Sequence, residues 1–219
     1  MSEGDRSGQE STGIPNQDRR PLASRSTGWA KAASAALARS GVTPNQISIA
    51  SIGFAAIGAG AMLSNSPLGY LGAALAIQAR LLCNLFDGMV AIEGGKQSAL
   101  GALYNEFPDR IADSLLLVAA GYACGLPGWG WSAALFAALT AYVRAFGAAL
   151  GHGQDFRGPM AKPHRMAVLT AGCVLHAVLP VRGGVLGVAL IVISVGAAIT
   201  CGTRTLALAR ALRQRAAVR

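Results

Sequence analysis

The chain has 219 residues, 53% hydrophobic and only 13% charged, with 28 glycines. Soluble domains carry about 25% charged residues, so this composition, with a mean hydropathy of +0.43, excludes an ordinary soluble globular enzyme and a disordered chain alike. The net charge of +9 would suggest nucleic acid on a soluble protein, but here its distribution along the chain decides.

In chain order, residues 1–26 are polar, rich in Ser, Gly and Arg, and without periodicity, which predicts a disordered cytoplasmic tail. No apolar segment follows the start, so no signal peptide is expected. Residues 27–41 are Ala-rich and predict an interfacial helix, with Trp29, Ala33, Ala36 and Leu37 on one face and Lys31 and Arg39 near the headgroups. Thr43-Pro44-Asn45 ends it. Six apolar stretches follow, at roughly 46–64, 68–92, 108–126, 130–151, 166–181 and 184–203, the fifth of them short. A span needs about 20 residues. The expected fold is therefore all-α: a polytopic membrane protein of six transmembrane helices behind an interfacial helix, with a membrane domain over 27–205 and a basic cytoplasmic segment over 206–219.

Basic residues set the orientation. Arg6, Arg19, Arg20, Arg25, Lys31 and Arg39 precede the first span. Lys96 and Arg110 follow the second, Arg157, Lys162 and Arg165 the fourth, and Arg204 to Arg219 the sixth. The opposite connections carry only Arg182. Both termini are expected in the cytoplasm, and the basic balance serves topology and anionic lipid rather than nucleic acid. Gly53, Gly58, Gly60, Gly69, Gly72, Gly121, Gly147 and Gly151 predict close helix packing, Gly147 and Gly151 as a GxxxG pair. The four cysteines (Cys83, Cys124, Cys173, Cys201) show no CxxC spacing and read as small apolar residues.

Ionisable residues within a span cost roughly 2.5–3.5 kcal/mol each at the helix centre, so they mark function. Arg80, Asn84 and Asp87 lie one turn apart on one face of the second span. Asn105, Asp109 and Asp113 form a second stripe at the start of the third. Both stripes fall in the cytoplasmic halves of what should be adjacent helices facing one cavity. Carboxylates and amides converging from two helices are hard oxygen ligands, suited to Mg²⁺ or Mn²⁺ completed by phosphate oxygens. A purely structural pairing of Arg80 with Asp87, and of Arg110 with Glu106 or Asp113, is the competing reading.

At these residues the sequence resembles the CDP-alcohol phosphotransferase family, whose signature is D-x2-D-G-x2-A-R-x8-G-x3-D-x3-D. The spacing is kept throughout, and Asp87, Gly88, Ala91, Gly101 and Asp109 match in identity. Asn84 stands at the first aspartate, Asn105 at the third and Ile92 at the arginine. Thr43-Pro44-Asn45 and the basic segment from Gly158 to Arg165 resemble that family's entries to its first and fifth spans. The resemblance covers about 27–205. It implies an integral membrane transferase that moves a phosphatidyl or substituted phosphate group from a CDP-alcohol, such as CDP-diacylglycerol, to an acceptor alcohol and releases CMP, in phospholipid biosynthesis.

By position, Asp87, Asp109, Asn84 and Asn105 would be metal ligands and Gly88, Ala91 and Gly101 would meet the donor nucleotide. Asp109 would act as ligand or base. The two asparagines lower the charge of a dinuclear site. Asp113, one turn on, could shift the ligand set and share the catalytic role with Asp109; Glu106 and Glu93 lie nearby. Lys96, Arg110 or Arg80 would replace the lost arginine, with Lys96 at the nucleotide. Arg144, Lys162 and Arg165 would hold the phosphate of a phosphorylated acceptor.

Expected partners are a CDP-linked lipid donor, a polar acceptor alcohol, membrane lipids and a second copy of the chain, at the cell inner membrane with the site on the cytoplasmic side. His152, Asp155 and His164 are a weaker metal set, read as surface polarity. His176 is expected to be an interhelical hydrogen-bond donor. A catalytically degenerate protein that binds CDP-lipid without turnover, and a small transporter, are the alternatives.

Overall fold

The computed structural model describes residues 27–96, 98–179 and 184–217. The tail 1–26, Arg182 and the side chain of Glu93, on which expectations rested, lie outside the described residues. The described residues form the helices α1 (Gly28–Arg39), α2 (Pro44–Leu63), α3 (Pro67–Glu93), α4 (Gly101–Ala123), α5 (Pro127–Ala149), α6 (Lys162–Val178) and α7 (Gly184–Ala217). Each of the six apolar stretches falls on one of α2 to α7. Among the described residues four helices, α2, α3, α5 and α7, are long and apolar enough to cross a membrane. α6 has 17 residues, and α4 carries Glu106, Asp109, Arg110 and Asp113.

Local signals place the helix starts. Thr43 accepts from the Gln46 N–H while the Gln46 side chain accepts from the Thr43 N–H, a reciprocal cap that Pro44 reinforces. Ser66 accepts from the Gly69 N–H ahead of Pro67 in the same manner. Two boundaries differ from expectation. α4 begins at Gly101 rather than at 108, so Pro108 lies inside the helix and Arg110 is helical. Residues 101–107 are too polar to register as a span, yet they continue the helix. α7 runs through the basic segment to Ala217 for the same reason.

The six long helices close into a ring. α3 packs on α2, α2 on α4, α4 on α5, α5 on α7, α7 on α6 and α6 back on α3, with α1 laid against α3. Met62, Tyr70, Ile77, Leu116, Leu117, Leu169, Leu190 and Ile193 fill the core. α1 rests on the bundle through Ala30 and Ser34, one turn apart, and leaves Trp29 55% exposed, where it meets Phe86 edge-on. His176 is corrected: its ring packs edge-on against Tyr70, and its buried Nδ1 has no hydrogen-bond partner.

Only some glycines serve close packing. A Cβ on Gly121 would lie 2.8 Å from the Cα of Gly130, so α4 and α5 cross backbone to backbone. One on Gly58 would press on Leu116 and Ala76, whereas Gly53 and Gly60 face open space. Gly151 ends α5 at a φ of +76°, a turn role rather than half of a packing pair. Gly121→Ala is expected to cost about 1–3 kcal/mol by overpacking. Gly128→Ala, with nothing within 4 Å, serves as the control. Thermal unfolding in detergent checks both.

Candidate active site

The two polar stripes meet, but not across a packed helix pair. α3 packs on α1, α2 and α6, and α4 on α2, α5 and α7, so long polar side chains bridge the space between α3 and α4. Asn84 Nδ2 donates to Asp109 Oδ1 at 2.8 Å. Arg80 Nη2 donates to Asp113 Oδ1 at 2.6 Å and reaches Asp109 Oδ1 at 3.5 Å. The two halves of the motif therefore line one chamber.

Three carboxylates in this chamber have different surroundings. Asp87, 5% exposed, accepts from Ser48 Oγ on α2 at 2.7 Å and from the Gly88 N–H at 2.6 Å. Asp109, its side chain 14% exposed, is the most accessible of the three. It pairs with the Lys162 ammonium at the start of α6 and lies 3.7 Å from Arg110. Asp113, 2% exposed, has one oxygen on Arg80 and the other on Arg165 Nη2 at 3.0 Å. Both arginines are buried, so Asp113 ties α3, α4 and α6 together. Arg80 thus pairs with Asp113 and Asp109 rather than with Asp87.

The other predicted residues fall as follows. Asn105 is exposed on α4, Gly88 and Ala91 are half-buried on α3, and Gly101 opens α4. Lys96 donates to the carbonyls of Ala38 and Val42 at 2.9 and 3.3 Å, sealing the end of α1 rather than reaching the chamber. Arg144 binds Glu106, which also faces Arg110 at 3.6 Å. Arg165 lies in the Asp113 pair and donates to the Met160 carbonyl at 3.0 Å. Among the described residues, no three His, Cys, Asp or Glu side chains converge as metal ligands, so His152, Asp155 and His164 do not form a set.

Sequence reasoning missed a cavity of about 230 Å³ beside the acidic chamber. Arg144, His152, Arg157 and Arg204 line it, with Asp155 and the Leu208 side of α7. Arg157 and Arg204 counted earlier only as topological charge; their spacing of 47 residues hides that Arg204 Nε donates to the Arg157 carbonyl at 2.8 Å. Three hydrogen bonds from Arg157, two from its guanidinium and one from its backbone N–H, hold the Asp155 carboxyl below the usual carboxylate range. The cavity is mainly cationic, and the Glu106–Arg144 contact joins it to the chamber.

A dinuclear centre does not fit this donor set. Asp113 has both oxygens on arginines, Asn105 is exposed, and Asp87 and Asp109 alone remain. A single Mg²⁺ or Mn²⁺ does fit, since Mg²⁺ is commonly held by one or two carboxylates with substrate phosphates completing its shell.

The arrangement has close structural parallels. A crystal structure of Mycobacterium tuberculosis phosphatidylinositol phosphate synthase with manganese and citrate superposes with a TM-score of 0.69 at 21% identity, covering 82% of this chain and 88% of that one. This chain shares that fold. The same synthase with CDP-DAG bound gives a TM-score of 0.68 at 21% identity over 82% and 92% of the two chains. Its apo form gives 0.62 at 24% identity over 80% and 93%. No family model and no curated protein matches the sequence. The likeness thus lies in the helical architecture, in keeping with the expected all-α membrane fold.

Proposed function

We propose that the protein is an integral membrane CDP-alcohol phosphotransferase of six spans, α2 to α7, with both termini and the chamber on the cytoplasmic side of the cell inner membrane. It transfers a phosphatidyl or substituted phosphate group from a CDP-linked lipid to an acceptor alcohol, with CMP as the leaving group. The observation that carries this reading is the Asn84–Asp109 hydrogen bond, which brings both halves of the motif to one chamber. The fold shared with a synthase crystallised with manganese, and with CDP-DAG, supports it.

Asp87 would hold Mg²⁺ or Mn²⁺, with the donor's phosphate oxygens completing the shell. That ion would supply Lewis-acid neutralisation of the donor diphosphate. The rest falls to the chain's own side chains. Asp109, the most accessible carboxylate of the three, accepts the proton of the acceptor hydroxyl as the new O–P bond forms and the anhydride P–O bond breaks. Lys162 pairs with Asp109 and places it. Gly88, without a side chain, leaves backbone open to the nucleotide. Arg144, Arg157 and Arg204 suit the phosphate of a phosphorylated acceptor. Asp113 holds the helices rather than taking part in proton transfer.

The purified protein, given CDP-diacylglycerol, Mg²⁺ or Mn²⁺ and a panel of free and phosphorylated polyols, is expected to release CMP, and chelation with EDTA is expected to stop it. No release across the panel would overturn the reading. The missing second cation site favours one rival, a protein that binds CDP-lipid without turnover. Metal-dependent retention of CDP-diacylglycerol with no CMP formed would establish that rival.

A further inference from the structure

We infer that the chamber takes a single divalent cation, at Asp87, and that the Lys162 ammonium fills the place of a second cation at Asp109. The inference rests on the diphosphate-binding role proposed above for this chamber and concerns how its charge is balanced.

The two carboxylates differ in a way their shared motif does not anticipate. Asp87 is buried, and both its hydrogen-bond donors, the Ser48 hydroxyl and the Gly88 N–H, are neutral. Among the described residues no Lys, Arg or His lies within ion-pair distance of it. A buried carboxylate without a countercharge is strongly unfavourable, so this position calls for a cation from solution.

Asp109 already has its cations. Lys162 sits on Oδ2, with Arg110 at 3.7 Å from the same oxygen and Arg80 at 3.5 Å from Oδ1. Asn84 presents its N–H₂ group, not a lone pair, to Oδ1. A donor amide and an ammonium on one carboxylate leave little room for a metal there.

Charge arithmetic agrees. Asparagine at two signature positions removes two negative charges, the charge of one divalent ion. Of the two aspartates that remain, Asp109 has its single charge met by Lys162, which leaves Asp87 for one divalent ion. Lys162 adds a fixed positive charge beside the position of the diphosphate. As a compact charge on a flexible stem it can pair with Asp109 and face a phosphate at the same time.

The test is the number of Mn²⁺ ions bound by the full chain in detergent, read by electron paramagnetic resonance with Mn²⁺ as the only added ligand. One ion per chain is expected, and it is lost in Asp87→Asn. The triple variant Asn84→Asp, Asn105→Asp, Lys162→Gln is expected to bind two. Two ions on the wild-type chain, or none, overturn the inference, as does a folded triple variant that still binds one. If circular dichroism shows the triple variant unfolded, the wild-type count and the Asp87→Asn result decide. CMP release on the same samples separates the two claims. One ion without CMP release upholds the inference and removes the proposed function, whereas two ions with CMP release does the reverse.

Discussion

Asp109→Asn is expected to lower CMP release by about 10²- to 10⁴-fold, the range associated with losing a positioned general base. The substitution is close to isosteric, and its carbonyl oxygen still accepts hydrogen bonds from Asn84 or Lys162. The fold should therefore survive, with an unchanged helical signal and a melting temperature near that of the wild type. The change also removes the carboxylate that holds Lys162, so binding of CDP-diacylglycerol should weaken less than turnover. A variant that keeps wild-type CMP release would remove Asp109 from the proton-transfer role. Asp113 could not take over while both its oxygens remain on Arg80 and Arg165.

The largest stability effect is expected at Asp113. Removing one member of a buried ion network typically costs about 3–5 kcal/mol, because the partner is left charged and uncompensated. Asp113→Ala would strand two guanidinium groups, on Arg80 and Arg165, both almost wholly buried. Several of their nitrogens already lack partners: Nε and Nη1 of Arg80 and Nε of Arg165. They have little spare bonding to fall back on. A drop in the thermal midpoint on the order of 10 °C follows for a chain of this length. The triple change Arg80→Met, Asp113→Leu, Arg165→Met should recover much of it, since apolar groups of similar volume can replace a buried ion network. If Asp113→Ala instead kept the wild-type midpoint and lost only activity, Asp113 would belong to the catalytic machinery.

These two aspartates show where sequence reasoning worked and where it stopped. Spacing along one helix is local geometry, so the stripe Arg80–Asn84–Asp87 and the contiguous pair Asp109–Asp113 were both readable, whereas Asn105, on the same stripe, is exposed. Partner choice is not local. Asp109 and Asp113 are one turn apart, of one residue type and on one stripe, and they were interchangeable on paper as base and ligand. Lys162 and Arg165 on α6 separate them, by pairing with one each. Lys96, expected at the nucleotide, caps α1 through carbonyls that no side-chain pattern reveals.

What the sequence determined by itself is the set of helices, their apolar runs and the motif. Each depends on residues within a few turns of one another: hydrophobic runs, proline and threonine starts, and steps of three and four. What only the tertiary structure decided is the closed order of the helices, the basic cavity beside α7 and the charge partner of each carboxylate. Those depend on contacts between residues from 25 to 111 positions apart. A charged side chain inside an apolar bundle is bound to whichever opposite charge the packing brings near, and the packing of the whole ring, rather than spacing along the chain, makes that choice.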